Sequence, residues 1–295
     1  MGPRARRRRS VTPPILIRAQ KAAKRLGVLS HPPPPPHTPY FPPPLVPQLT
    51  AMAHFLSFLK SAVACGLLSI AAVRAAPLES RAVIAHDAVV GFPQTVPSGT
   101  TGQVYLAYQP HLFVNNGCVP FPAVDAQGNT SGGLKPSGGS SSNCSKSTGQ
   151  IYVRGGLNSA GVYGLLYSWY FPKDEPSTGI GHRHDWEGTI VYLRDATSTS
   201  PDNIIAVCPS AHGGWDCSTN GFSLSGSSPL IEYSSTWPLD HSMMLTSTVG
   251  GTQPLIAWED LPAAAQAALT NTDFGAANVQ VKDPSFLNNL NAATY

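Results

Sequence analysis

The chain is 295 residues long, only 12% of them charged, with a formal net charge of +3. That figure conceals a split: eleven of the nineteen basic residues precede position 76, whereas all sixteen acidic residues follow it. Residues 76–295 therefore carry eight basic against sixteen acidic residues, a formal −8, which argues against a nucleic-acid partner and against membrane attachment through a polybasic patch alone.

Residues 1–51 are Arg-rich around Arg4 to Arg9 and then Pro-rich, with Pro32 to Pro36 and Pro42 to Pro44. Such a segment buries no core. Residues 52–75 read as a secretory signal peptide: Met52 opens MAHFLSFLK, an apolar run follows from Ser61 to Val73, and Val73-Arg-Ala75 suits cleavage near Ala75 or Ala76. The run is too short, and too closely flanked by Lys60 and Arg74, for a membrane span. Two readings of the leader stand. It is a gene-model extension before a true start at Met52, or a disordered or targeting segment that is really made. In either case the folded protein is expected to be extracellular and to comprise a single domain, 76–295.

Secretion makes the cysteines interpretable. Cys65 leaves with the signal peptide, and Cys118, Cys144, Cys208 and Cys217 remain as an even set in an oxidising compartment, with three connectivities open. The sequons Asn129-Thr-Ser and Asn143-Cys-Ser lie in a Gly- and Ser-rich stretch, consistent with a surface position; a sequon permits glycosylation without requiring it.

Short runs rich in Val, Ile and aromatics predict strands at 104–109, 150–154, 165–171, 189–194, 204–208, 230–233, 243–247 and 255–258, separated by Gly, Pro, Ser and Asn clusters. Between 165 and 171, Tyr167, Trp169 and Phe171 alternate with Ser168 and Tyr170, which suits a half-buried strand. Two helices are expected late, one from Asp260 through Leu269 and one from Asp283 through Ala292, each with an Asp placed to cap and a Pro in the first turn. Many short strands with peripheral helices predict a mainly β, single-domain β-sandwich.

The densest chemistry lies in Tyr167-Ser-Trp-Tyr-Phe-Pro-Lys-Asp174 and Gly181-His-Arg-His-Asp-Trp-Glu187. Within fourteen positions Asp174, His182, His184, Asp185 and Glu187 come together, and three carboxylates so close repel one another unless a cation or protonated partners compensate them. If 185–187 is extended, Asp185 and Glu187 share a face, and the turn through 175–181 brings Asp174 back beside them. Oxygen donors in the majority point to calcium or magnesium. A metal-free hydrogen-bonded network is the plainer alternative. Zinc competes through His182 and His184, which face one side only if both are extended. A second cluster is Trp237-Pro-Leu-Asp240-His241, where Trp237 is either a recognition-loop aromatic or an ordinary core residue. No nucleophile elbow or phosphate-cradling loop is present, and 132–142 reads as low-complexity loop.

The heptapeptide GHRHDWE (Gly181 to Glu187) and the undecapeptide GLLYSWYFPKD (Gly164 to Asp174) closely resemble the two signature motifs of the necrosis- and ethylene-inducing peptide 1-like (NLP) proteins, secreted microbial effectors. The resemblance runs more loosely from His86-Asp87 to the C-terminus. It implies a sandwich like that of actinoporin toxins and fungal lectins. It also implies a metal site of Asp174, His182, Asp185 and Glu187, some ligating through water. Trp237 is implied to take part in membrane attack, with Asp240 and His241 lining a head-group site and His212 matching a further cavity position. His184 and Trp186 read as structural, and Arg183 has no assigned role. The Cys118–Cys144 bridge matches the one found across the family, whereas Cys208–Cys217 rests on proximity alone.

The function so implied is cytolysis: cation-dependent binding to the sugar head groups of glycosylinositol phosphorylceramide sphingolipids in plant plasma membranes, then membrane damage and defence elicitation, with plant pattern-recognition receptors as further partners. The chain is expected not to be an enzyme. A secreted metal-dependent glycan hydrolase or lyase is the alternative, and a non-cytolytic family member the third reading. The undecapeptide opens with Gly164-Leu-Leu166 where Ala-Ile-Met is common, an apolar change that hardly bears on toxicity.

Overall fold

The computed structural model describes residues 81–236 and 240–295. The leader, the signal peptide and Trp237 lie outside the described residues. In chain order the first elements are β1 (Val83–Ile84), α1 (Thr100–Ala107), β2 (His111–Val114), β3 (Thr130–Ser131), β4 (Ile151–Leu157), β5 (Tyr163–Ser177) and β6 (Ile180–Leu193). They are followed by β7 (Ile204–Ala211), β8 (Gly214–Trp215), β9 (Leu224–Ser225), β10 (Ser228–Thr236), β11 (Asp240–Leu245), β12 (Leu255–Ala257), α2 (Ala263–Asn271) and α3 (Ser285–Ala292).

The long β5–β6 hairpin forms the middle of a six-stranded sheet ordered β12-β4-β5-β6-β7-β8, antiparallel except where β12 runs parallel to β4. A smaller sheet, β11-β10-β2 with β9 beside β10, packs on one face and completes the expected sandwich. Alternation along β5 sorts its side chains between two covered faces. Towards the small sheet and α1, Phe171 stacks on Tyr233 of β10 at 3.9 Å, and the Tyr167 hydroxyl donates to the Tyr105 carbonyl at 2.7 Å. On the opposite face Ser168 donates to Gln280 at 2.8 Å, Tyr170 meets Phe274, and Tyr192 of β6 donates to the Leu290 carbonyl at 2.6 Å. The C-terminal segment is therefore a third layer. The strand expected to be half-buried is buried on both sides from Gly164 to Glu175.

Residues 104–109, expected as a strand, belong largely to α1. The run Val104-Tyr-Leu-Ala-Tyr108 is short enough for periodicity to mislead. Its buried positions, Val104, Tyr105 and Tyr108, follow the three-to-four spacing of a helix face instead. The late helices also begin later than expected. Pro262 and Pro284 occupy their N-cap positions without side-chain caps, and Asp283 pairs with Arg154 at 2.9 Å rather than capping. Asp260 sits in the 3₁₀ turn Trp258–Asp260. Among the described residues no helix is long and apolar enough to cross a membrane.

Candidate functional site

The two motifs face each other across the β5–β6 ladder, with Asp174 directly opposite His182 and Phe171 opposite Asp185. A turn through Thr178 and Gly179 joins the strands, and the Glu175 carboxylate accepts from the Gly179 amide at 2.9 Å. Gly181 has φ +124, and a Cβ there would fall 2.1 Å from the Asp174 carbonyl oxygen, so the heptapeptide's first residue must be glycine for the strands to close. Pro172, which has no amide to contribute, lies where the ladder skips a pair, and its carbonyl accepts from the Leu134 amide at 2.7 Å.

His184 takes φ +61, which breaks the alternation of β6. Its Nδ1 is hydrogen-bonded to the Tyr170 hydroxyl at 2.7 Å, and its ring sits among Tyr170 and Phe274. Burial, reinforced by the charges of Arg183 and His182, pushes its pKa down to about 4, so it is neutral at physiological pH. The His182 Nδ1 instead donates to the His184 carbonyl at 2.7 Å, while its Nε2 lies 3.5 Å from Asp174 Oδ2. The two imidazoles do not converge, which removes the geometric basis of a zinc pair.

Asp174 and Asp185 are both buried. Asp174 Oδ1 accepts from the His241 amide at 3.2 Å and from its Nδ1 at 2.5 Å. Asp185 Oδ2 accepts from the Tyr233 hydroxyl at 2.8 Å, and Tyr233 is itself held between Phe171 and the His241 ring, 4.7 Å away. Burial, then the charge of Asp174, pushes the Asp185 carboxyl up to about 6 against the Tyr233 hydrogen bond. Glu187 accepts from the Ser210 hydroxyl, which in turn accepts from the Gly188 amide at 2.8 Å.

His182, Asp185, Glu187 and Ser210 border a polar cavity of about 260 Å³ that Trp215, Asn278, Gln280 and Asn289 also line. A larger cavity of about 430 Å³ lies among His86, Phe92, Phe121 and Lys146, away from the carboxylate cluster. The exposed His212, at φ +50, forms the turn between β7 and β8, and its neighbours Gly213, Gly214 and Trp215 line the smaller cavity. Asp240 opens β11 opposite Thr236, and His241 is buried against Asp174 rather than open to the cavity. Nothing in the sequence marks Tyr233 or Gln280 as site residues. Trp215 had a signal, two residues after the His212-Gly pair.

Among the described residues no group of three or more His, Cys, Asp or Glu side chains is arranged as a ready-made metal cage. The chemistry of the donors nonetheless fits a hard cation. Asp185 is disfavoured as an anion by its own surroundings. His182 gives its Nδ1 proton to a backbone carbonyl, as metal-ligating histidines commonly do, and turns its Nε2 towards Asp174.

Both expected disulfides are present, Cys118–Cys144 and Cys208–Cys217. The sequons differ. Asn143 is exposed, whereas the half-buried Asn129 carboxamide donates to Asp125 at 2.9 Å and accepts from the Ala82 amide at 3.0 Å.

The sequence profile of the family described as Necrosis inducing protein (NPP1) matches residues 102–293. The chain belongs to this family of necrosis-inducing effectors. It is 48% identical over 219 residues to the Necrosis-inducing protein NPP1 of Phytophthora nicotianae, covering 72% of this chain and 91% of that one. The structure of NLPPya in complex with mannosamine matches with a TM-score of 0.68 at 49% identity, covering 72% of this chain and all of that one. The non-toxic HaNLP3 protein matches with a TM-score of 0.67 at 38% identity, covering 71% and 98%. These matches span the sandwich and both motifs.

Proposed function

We propose that this protein is a secreted cytolysin that binds the sugar head groups of plant glycosylinositol phosphorylceramides in a cation-dependent manner and then damages the membrane. The observation that carries this reading is the pairing of two buried carboxylates, Asp174 and Asp185, beside the His182 Nε2 at the edge of a polar cavity. Calcium or magnesium would be held by Asp174, His182, Asp185 and Glu187, directly or through water, and would supply the positive charge that an acidic domain needs to meet an anionic head group. His241 and Tyr233 position the two aspartates. Glu187 and Ser210, with the turn at His212, border the space in which a sugar would sit, and Asp240 is assigned to the head-group site. Trp237 is assigned to the membrane interface, where an amphipathic ring is favourable. That NLPPya forms a complex with mannosamine supports a sugar-type ligand.

HaNLP3 keeps the fold without toxicity, so fold alone does not confer lysis. The metal-dependent hydrolase or lyase reading predicts turnover of soluble glycan or sphingolipid head group without any bilayer. Incubating the protein with purified head-group glycan and divalent cation, and following products by mass spectrometry, separates the two. Stoichiometric binding without product supports the cytolysin, and sustained turnover defeats it.

A further inference from the structure

Lys173 and Arg183 stand directly opposite each other on the β5–β6 ladder, one register step from the Asp174–His182 pair and therefore on the other face of the hairpin. Like charges so placed destabilise a ladder unless something neutralises them. Here the Gly- and Ser-rich loop closed by Cys118–Cys144 does so with its backbone. Arg183 Nη1 donates to the carbonyls of Gly132 at 2.5 Å and Gly133 at 3.1 Å. Lys173 Nζ donates to the carbonyls of Gly139 at 3.0 Å and Ser137 at 3.3 Å, and pairs with the Glu175 carboxylate. Lys173 and Glu175 are almost wholly buried, so the loop is their solvent.

The ladder itself does not fix this end of the hairpin. Its register shifts between Asp174 and Ser177, and beyond it the turn is exposed. We propose that the loop over 132–139 is a positioning element: through Lys173 and Arg183 it holds the hairpin in the geometry that presents Asp174 and His182. The effect on ion binding rests on the cation reading above; the effect on the hairpin does not.

Two glycines separate positioning from mere folding. Gly133 has φ +60, and a Cβ there would lie 2.8 Å from the Arg183 Cγ and 2.7 Å from the His184 Nδ1. Gly226, in the turn between β9 and β10, has φ +65, and a Cβ there would meet nothing within 4 Å. Both alanine variants bear left-handed backbone strain, but only Gly133→Ala pushes on the clamp. The secreted protein and each variant are compared by amide hydrogen exchange over 174–184 and by calorimetric titration with calcium and with magnesium. Gly133→Ala and Arg183→Met should exchange faster over 174–184 and bind cation ~10–100-fold more weakly, as loss of outer-shell support does. Gly226→Ala should match wild type over 174–184 and in cation affinity, and Arg183→Lys, which keeps a donor, should recover part of the loss. If Gly133→Ala is not secreted, Arg183→Met makes the same comparison with the loop sequence intact. Unchanged exchange over 174–184 in the clamp variants, or equal losses in Gly226→Ala, overturns the inference. Wild type that binds no cation, while the clamp variants still loosen the hairpin, leaves the clamp standing and defeats the cation reading instead.

Discussion

Replacing Asp174 by Asn removes one charge while keeping the shape of the side chain and one carbonyl oxygen. In the native protein that carboxylate receives two hydrogen bonds from His241 and faces His182 Nε2. Converting charge-assisted hydrogen bonds to neutral ones costs about 1–2 kcal/mol. Relief of the repulsion that drives Asp185 upward offsets part of this, so folding should change little. Cation binding should not escape so lightly. A unit charge lost about 4 Å from a divalent ion, at an effective dielectric of about 20, removes up to about 8 kcal/mol, so Kd should weaken at least a thousandfold. Calorimetric titration with calcium and magnesium, alongside guanidinium unfolding, reads both quantities. An Asp174→Asn variant that unfolds at the wild-type midpoint and binds both ions with wild-type affinity would refute the placement of the site.

Trp237→Ala should leave cation affinity intact but reduce vesicle leakage about a hundredfold, since loss of an aromatic contact commonly costs a few kcal/mol; full leakage would remove this residue's role alone. Phe274→Ala should destabilise the fold by about 3–5 kcal/mol in denaturant titration, because the buried ring packs on Tyr170, His184 and Trp186. A loss below about 1 kcal/mol would show that the C-terminal layer is dispensable. In a glycosylating host, Asn143→Gln should lower the mass of the secreted protein by one glycan. Asn129→Gln should leave the mass unchanged and destabilise by about 1 kcal/mol through its lost hydrogen bonds; a glycan found on Asn129 contradicts that ordering.

Much of the site was legible because its residues are close in sequence and lie on one hairpin, where two-residue alternation predicts facing. The placement of Asp174 beside His182 and the extended 185–187 follow from that rule. What broke the rule was invisible. The left-handed backbone at His184 swings its imidazole into the Tyr170 cluster, and no residue-level preference announces it. Tyr233 reaches Asp185 from the other sheet, a partnership set by packing of sheets and not by any local pattern. The run at 104–109 satisfied strand and helix composition equally, and only burial of Tyr105 and Tyr108 on one side decides it. The tract at 132–142 looked like filler because its function is carried by main-chain carbonyls, which every sequence has.

Dye release from lipid vesicles with and without glycosylinositol phosphorylceramide, each with and without added calcium or magnesium after chelation, tests cation-dependent cytolysis most directly. Leakage should occur only when sphingolipid and divalent cation are both present. Leakage from vesicles lacking the sphingolipid, or full leakage in the presence of chelator, would contradict it.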